Sequence, residues 1–134
     1  MRFALASVSL AAAFAGAGLS ACASLDYHYS QISGRKYHVS EIDTYSISIL
    51  RIDGRSTILH PTPVDPGRRM ILVQGPPDGV SLEGRQREIA LDVKPCTRYY
   101  LVAVKTTRLS SDFDVRVDYE EPVGGCTPPP VGQA

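Results

Sequence analysis

Three histidines are the residues with which this chain could carry out acid–base or nucleophilic catalysis: His28, His38 and His60. A catalytic histidine needs a nucleophile and an orienting carboxylate within hydrogen-bond reach. None of the three lies in a motif that would supply them, and the chain has neither a Gly-x-Ser-x-Gly turn nor a His-Glu-x-x-His helix signature. We therefore predict no catalytic residue and interpret the histidines as surface or loop residues.

An acidic series near the C-terminus could bind calcium, because hard cations prefer carboxylate oxygens. The series is Asp112, Asp114, Asp118 and Glu120. An EF-type loop needs glycine at its sixth position, where this chain has Val117 inside an alternating apolar pattern. The series is better explained as the solvated face of a strand, so we predict no metal site and no cofactor.

Arginine is the more abundant basic residue of the chain, and its guanidinium suits bidentate contact with carboxylate or phosphate. Arg55, Arg68 and Arg69 flank a predicted hairpin and a proline-rich connection, so they could converge on an anionic glycan or lipid. Scattered solubilising charge is the interpretation that we favour, and convergence is the alternative. Lysine and arginine together number 14, as do aspartate and glutamate, so the net charge is zero and no basic field favours nucleic acid.

The first 21 residues have one positive side chain, Arg2, followed by an uncharged, alanine-rich apolar run. This is the pattern of an export signal. It ends at Leu19-Ser20-Ala21-Cys22, which resembles the lipobox of bacterial lipoproteins. The resemblance implies that the signal is cut before Cys22, that the Cys22 sulfur carries a diacylglycerol, and that the new N-terminus is acylated. Several acyl chains hold a protein on a bilayer almost permanently.

The residues on either side of Cys22 bear on where the exported chain goes. They are small, so they also suit ordinary signal cleavage, which would release a soluble periplasmic protein. In Gram-negative lipoproteins an aspartate directly after the cysteine favours retention in the inner membrane. Ala23 occupies that position here, so the resemblance implies the periplasmic face of the outer membrane.

Cys96 and Cys126 remain once Cys22 is lipidated or removed. Thiols in an oxidising compartment tend to pair, so we predict one disulfide between them. The chain-entropy model assigns roughly 3.7 kcal/mol to closing a loop of this size. Two free, buried thiols are the alternative.

Most of the mature chain has a period of two, which is typical of strands. Asp53-Gly54 predicts a type I′ hairpin turn, with residues 57–59 in the returning strand. Residues 69–74 predict a buried strand, and residues 97–106 predict a central strand packed on both sides. In the last strand we predict that Phe113, Val115, Val117 and Tyr119 form the core face and that the acidic series faces solvent. About seven strands, separated by proline and glycine, indicate an all-β fold, a small antiparallel β-sandwich.

The order of these pieces resembles that of PEGA-like and transthyretin-like β-sandwiches. The resemblance rests on Asp53-Gly54-Arg55, on Val64-Asp65-Pro66-Gly67 followed by an apolar strand, and on a strand containing Tyr99-Tyr100-Leu101. It also extends to small lipoproteins of Gram-negative bacteria built on such modules. It implies a fold far more than a function, because this architecture has many unrelated roles.

We divide the chain into a signal peptide (residues 1–21), a lipidated tether (22–34), a β-sandwich domain (35–126) and a proline-rich flexible tail (127–134). Within the tether, Tyr27 and Tyr29 could lie at the lipid headgroups or pack as a first strand.

The function predicted from the sequence is that of a membrane-anchored, non-enzymatic binding or structural module of the bacterial envelope. Its expected partners are the membrane, through acyl chains, and an envelope protein or anionic glycan. One alternative is an inhibitor or accessory subunit that docks an envelope protein. The other is a small hydrolase, which would need a pocket where a histidine meets a carboxylate and a hydroxyl.

Overall fold

The structure, a computed structural model, describes residues 27–128, which form two β-sheets. The predicted signal peptide, Cys22 and residues 129–134 of the tail lie outside the described residues. Nine strands follow one another along the chain: β1 (Ser30–Ser33), β2 (Thr44–Ser46), β3 (Ser48–Ile52), β4 (Arg55–Ser56), β5 (Thr62–Val64), β6 (Gly67–Gln74), β7 (Gln86–Val93), β8 (Thr97–Val104) and β9 (Asp114–Pro122). The all-β prediction is confirmed, with short strands raising the number above seven. Between residues 27 and 128 no helix is long and apolar enough to cross a bilayer.

The first sheet is built around β8. The whole length of one edge of β8 pairs with β9 in antiparallel orientation. The other edge pairs with two short strands that meet end to end, β1 in parallel and β2 in antiparallel orientation. Their junction is closed by a hydrogen bond of 2.8 Å from the Ile47 amide to the Gly34 carbonyl. The strand β5 completes this sheet outside β1.

The second sheet has the order β4-β3-β6-β7 and is antiparallel throughout. Asp53 and Gly54 both have positive φ, 49° and 78°, as the predicted type I′ turn between β3 and β4 requires. A register shift between Ile49 and Arg51 marks a β-bulge in β3.

The core lies between the sheets and combines apolar side chains from both. Tyr99 and Leu101 of β8 and Ile71 and Val73 of β6 are almost fully buried in one cluster. Val102, on the opposite face of β8, is also fully buried. The strand β8 is therefore packed on both sides, as its unbroken apolar run predicts.

The predicted disulfide between Cys96 and Cys126 is present, with the two Cα atoms 5.6 Å apart. It joins the start of β8 to the chain beyond the end of β9, where Thr97 pairs with Pro122. These are neighbouring antiparallel strands.

Two boundaries differ from the sequence prediction. The folded part begins before residue 35, because β1 inserts between β8 and β5 and Ile32 is fully buried there. Tyr27 is already bridged to Cys126. Conversely, residues 57–59 do not extend the returning strand, since β4 ends at Ser56. Ile58 and Leu59 are instead exposed.

Candidate functional site

The three predicted arginines do not converge. Arg68 and Arg69 are successive residues of β6, so they point to opposite faces of the sheet. Arg68 is exposed and reaches Asp92 at 3.5 Å. Arg55 and Arg69, by contrast, line the same cleft. Arg68 therefore does not join Arg55 and Arg69 at this cleft, because the period of two separates neighbours in a strand.

The cleft that Arg55 and Arg69 line is open, has a volume of about 620 Å³, and lies between β5 of one sheet and the β3–β4 hairpin of the other. Arg69 is fixed in it by hydrogen bonds to the Asp65 and Pro66 carbonyls and by an ion pair of 3.0 Å with Asp53. The Met70 amide and then Arg69 hold the pKa of Asp53 below its ordinary value. Arg55, in contrast, is exposed on the cleft wall.

A second cluster lies on the outer face of the β8–β9 pair. Asp118 is the extra residue of a bulge in β9, because Tyr119 pairs with Tyr100 and Val117 pairs with Leu101. The bulge reverses the alternation of the strand. The predicted solvent position of Asp118 and core position of Tyr119 are therefore both wrong: the Asp118 side chain is 2% exposed, and Tyr119 lies on the outer face.

The buried Asp118 carboxylate holds the loop of residues 35–43 against β9. One oxygen accepts hydrogen bonds from the backbone amides of Tyr37 and His38, at 2.9 and 3.0 Å. The other lies 3.1 Å from His38 Nδ1. Burial by itself would raise the pKa of Asp118, but the hydrogen bonds from His38 and Tyr37 outweigh it and keep that pKa below its ordinary value. At neutral pH Asp118 is therefore a carboxylate that accepts from all three donors.

His38, Glu41 and Asp118 bring three potential metal-ligand atoms within 4.8 Å of one another. A guanidinium already lies between the two carboxylates: Arg116 Nη2 is 2.5 Å from Glu41 and 4.0 Å from Asp118. The acidic groups thus have their counter-charge from Arg116. We interpret the cluster as the attachment of the loop rather than a metal centre.

The same cluster bears on the hydrolase alternative. His38 and Asp118 have the relationship of a general base and its orienting carboxylate. Over residues 27–128, however, Asp118 is the hydrogen-bonding side-chain partner of His38, and no serine, threonine or cysteine side chain bonds to the imidazole. His38 also lines neither described cavity. The arrangement lacks a nucleophile.

An aromatic platform, which we define as Tyr37, Tyr100 and Tyr119, covers the outer face next to this attachment. The rings of Tyr37 and Tyr119 are stacked, with centroids 3.9 Å apart and planes at 13°. The Tyr100 ring centroid lies 5.1 Å from that of Tyr37. Tyr37 and Tyr119 nevertheless remain 43% and 38% exposed. Tyr119 raises the pKa of Tyr37, because a negative charge on Tyr119 would repel a Tyr37 phenolate and because the two side chains share a hydrogen bond. The Tyr37 phenol therefore stays neutral.

A cationic pocket of about 200 Å³ adjoins the platform at Tyr100. Among the described residues its lining has three basic side chains and no carboxylate: these residues are Ser33, Arg35, His60, Pro61, Arg98 and Tyr100. Arg98 is held by Gln31 at 2.6 Å and by Glu121 at 3.1 Å. The pocket is not evident from the sequence, because its basic residues come from β8 and from two loops that are distant along the chain.

The disulfide end of the sandwich is where the chain enters the fold. The Thr127 amide donates to the Tyr27 carbonyl at 2.9 Å, and Tyr29, two residues later, lines the large cleft. The entry point, the disulfide and the cleft are therefore neighbours.

No protein-family model, no curated protein and no solved structure matches this chain. The functional argument therefore depends on the residues and their geometry.

Proposed function

We propose that this protein is a lipoprotein of the bacterial envelope, anchored through acylated Cys22 to the periplasmic face of the outer membrane, whose β-sandwich is a non-enzymatic binding module. The lipobox Leu19-Ser20-Ala21-Cys22 supports the anchor. The observation that carries the proposal is the short distance along the chain between that motif and the fold. Tyr27, which comes five residues after Cys22, is already paired with Cys126.

Five residues of extended chain span at most roughly 17 Å. An anchor at Cys22 would therefore keep the disulfide end of the sandwich close to the headgroups. Tyr29 belongs both to this end and to the large cleft. The cleft would then face a ligand or partner at the membrane surface. Anchoring would confine the protein to the thin layer in which it meets that ligand.

A binding role, rather than catalysis, agrees with the composition of the cleft. Its charged residues, Asp53, Asp65, Arg55 and Arg69, include two of each sign. Arg69 is engaged by three partners, which suits a rigid wall more than a group that must move a proton. No histidine lines this cleft.

A second candidate is an inhibitor or accessory subunit that docks an envelope protein beside the cleft. It is favoured by the exposed apolar side chains of Ile58 and Leu59, of which Leu59 lines the cleft. Exposed apolar side chains grouped at the rim of a cleft are typical of protein contacts. The short edge strands β4 and β5 lie on either side.

Fractionation of cells that make Cys22→Ala tests the proposal. The wild-type protein should sediment with the outer membrane, whereas the variant should appear as a soluble or unprocessed form. Ala23→Asp is the matched control because it keeps the cysteine: in a Gram-negative host it should remain membrane-bound but move to the inner membrane. A correctly processed Cys22→Ala protein that stays on the membrane would overturn the proposed anchor.

A further inference from the structure

We propose that the aromatic platform and the cationic pocket together form a binding site for an acidic saccharide, meaning a sugar chain that carries carboxylates. The site lies on the outer face of the first sheet and shares no lining residue with the large cleft. It goes beyond the proposed function, since it does not depend on anchoring or on what the cleft binds.

The platform supplies exposed aromatic ring surface that is already in place, with Tyr100 tilted by 57° to Tyr37. A pyranose ring has C–H groups on its faces and hydroxyls at its rim, so it packs on aromatic rings while its rim stays hydrogen-bonded. Tyr37 and Tyr119 are partly exposed although they stack on each other. The Tyr37 amide is also fixed to Asp118. Such order before binding lowers the entropy cost of forming a complex.

The pocket next to the platform supplies the charge that recognises a carboxylate. A guanidinium has five N–H donors, and Gln31 and Glu121 each accept one from Arg98. Arg98 therefore has donors left to direct into the pocket that it lines. The guanidinium of Arg35 is exposed, and across residues 27–128 no side-chain hydrogen bond or ion pair of Arg35 is described.

The local charge balance favours an anion. Glu121 offsets Arg98 in part, because its oxygen lies 3.1 Å from Nη1. No described carboxylate pairs with Arg35, so its positive charge is not offset. The His60 imidazole adds a further hydrogen-bonding group to the pocket wall. Arginine can bind a carboxylate through two parallel hydrogen bonds, and these are stronger than the hydrogen bonds that a neutral donor makes. The protein as a whole has no net charge, so this preference belongs to the pocket.

The dimensions match one sugar residue in the pocket and the next on the platform. A cavity of about 200 Å³ admits a single monosaccharide unit. Tyr100 forms the boundary, since it lines the pocket and its ring lies 5.1 Å from that of Tyr37. A chain of two or three sugars would therefore contact both parts.

Calorimetric titration of the protein purified in detergent with trigalacturonate tests this site. Trimethyl trigalacturonate has the same length without the charge and should bind about tenfold more weakly. Arg35→Gln and Tyr37→Ala should each weaken binding of trigalacturonate by a similar factor. Arg108→Gln replaces an exposed arginine elsewhere and should leave the affinity unchanged.

The proposal would be overturned if trigalacturonate showed no saturable binding, or if its trimethyl ester bound with equal affinity. Equal losses of affinity in Arg35→Gln and Arg108→Gln would also overturn it. So would inorganic phosphate that competes with trigalacturonate and binds with the same affinity. The last would indicate a simple anion pocket without recognition of the sugar. Because the test does not involve Cys22, its failure would leave the proposed anchor unaffected.

Discussion

His38 Nδ1 lies 3.1 Å from Asp118 Oδ1, although the two residues are separated by 80 positions in the chain. The contact attaches the loop of residues 35–43 to β9, and it exists because a one-residue bulge turns Asp118 out of the alternation of its strand. The platform residue Tyr37 is held by the same carboxylate. The attachment therefore positions the surface to which we assign saccharide binding.

Replacing Asp118 with alanine should destabilise the fold. The change would leave the amides of Tyr37 and His38 without their acceptor, and hydrogen bonds to a charged group are worth about 1.5–3 kcal/mol each. We expect a loss of at least about 2 kcal/mol in urea unfolding. Asp114→Ala is the control on the same strand, because Asp114 is 89% exposed and pairs only at the surface. Equal losses in both variants would contradict this account.

The contribution of Asp118 should also depend on pH. Its pKa in the folded protein is below that in the unfolded chain, about 3.9, so its stabilising effect is complete above that value and is lost as the pH falls through the folded pKa. The gap in urea midpoint between wild type and Asp118→Asn should therefore be large at pH 5 and shrink towards pH 2. A gap that stays constant or widens over this range would exclude a carboxylate in this role.

Removing the disulfide should lower thermal stability substantially. The bridge closes a loop with a sequence separation of 30 and joins the start of β8 to the chain beyond the end of β9. The chain-entropy model predicts a loss of roughly 3.7 kcal/mol, which is more than about 10 °C in Tm for a domain of this size. Cys96→Ser should also leave one titratable thiol at Cys126. An unchanged Tm would show that the bridge does not stabilise the fold.

Gly34 should not tolerate a side chain. A Cβ placed there would lie 2.0 Å from the carbonyl oxygen of Ile47, at the point where β1 and β2 meet. Gly34→Ala must therefore displace backbone, at an expected cost of at least about 2 kcal/mol. A Cβ at Gly79 meets nothing within 4 Å, so Gly79→Ala should fold with wild-type stability. A Gly34→Ala protein as stable as the wild type would contradict the end-to-end junction of β1 and β2.

Local signals predict much of the fold because they depend on near neighbours in the chain. The Asp53-Gly54 turn and the doubly packed strand β8 both follow from residue type and spacing over a few positions. The disulfide was also predictable, since Cys96 and Cys126 are the two cysteines that follow the proposed anchor at Cys22.

The candidate sites were less predictable because they depend on contacts between distant segments. The regular alternation of the last strand hides the bulge at Asp118, whose partners come from the loop of residues 35–43. The insertion of β1 between β8 and β5 buries a short segment with little apolar pattern. Arg35 and Arg98 line one pocket because β1, which ends two residues before Arg35, runs parallel to β8.

The mass of the N-terminal peptide of the protein isolated from bacterial membranes tests the central claim most directly. The account predicts a peptide that begins at Cys22 and carries the mass of a diacylglycerol with a further acyl chain. A peptide that begins after Cys22, or an unmodified Cys22 within a longer chain, would contradict it.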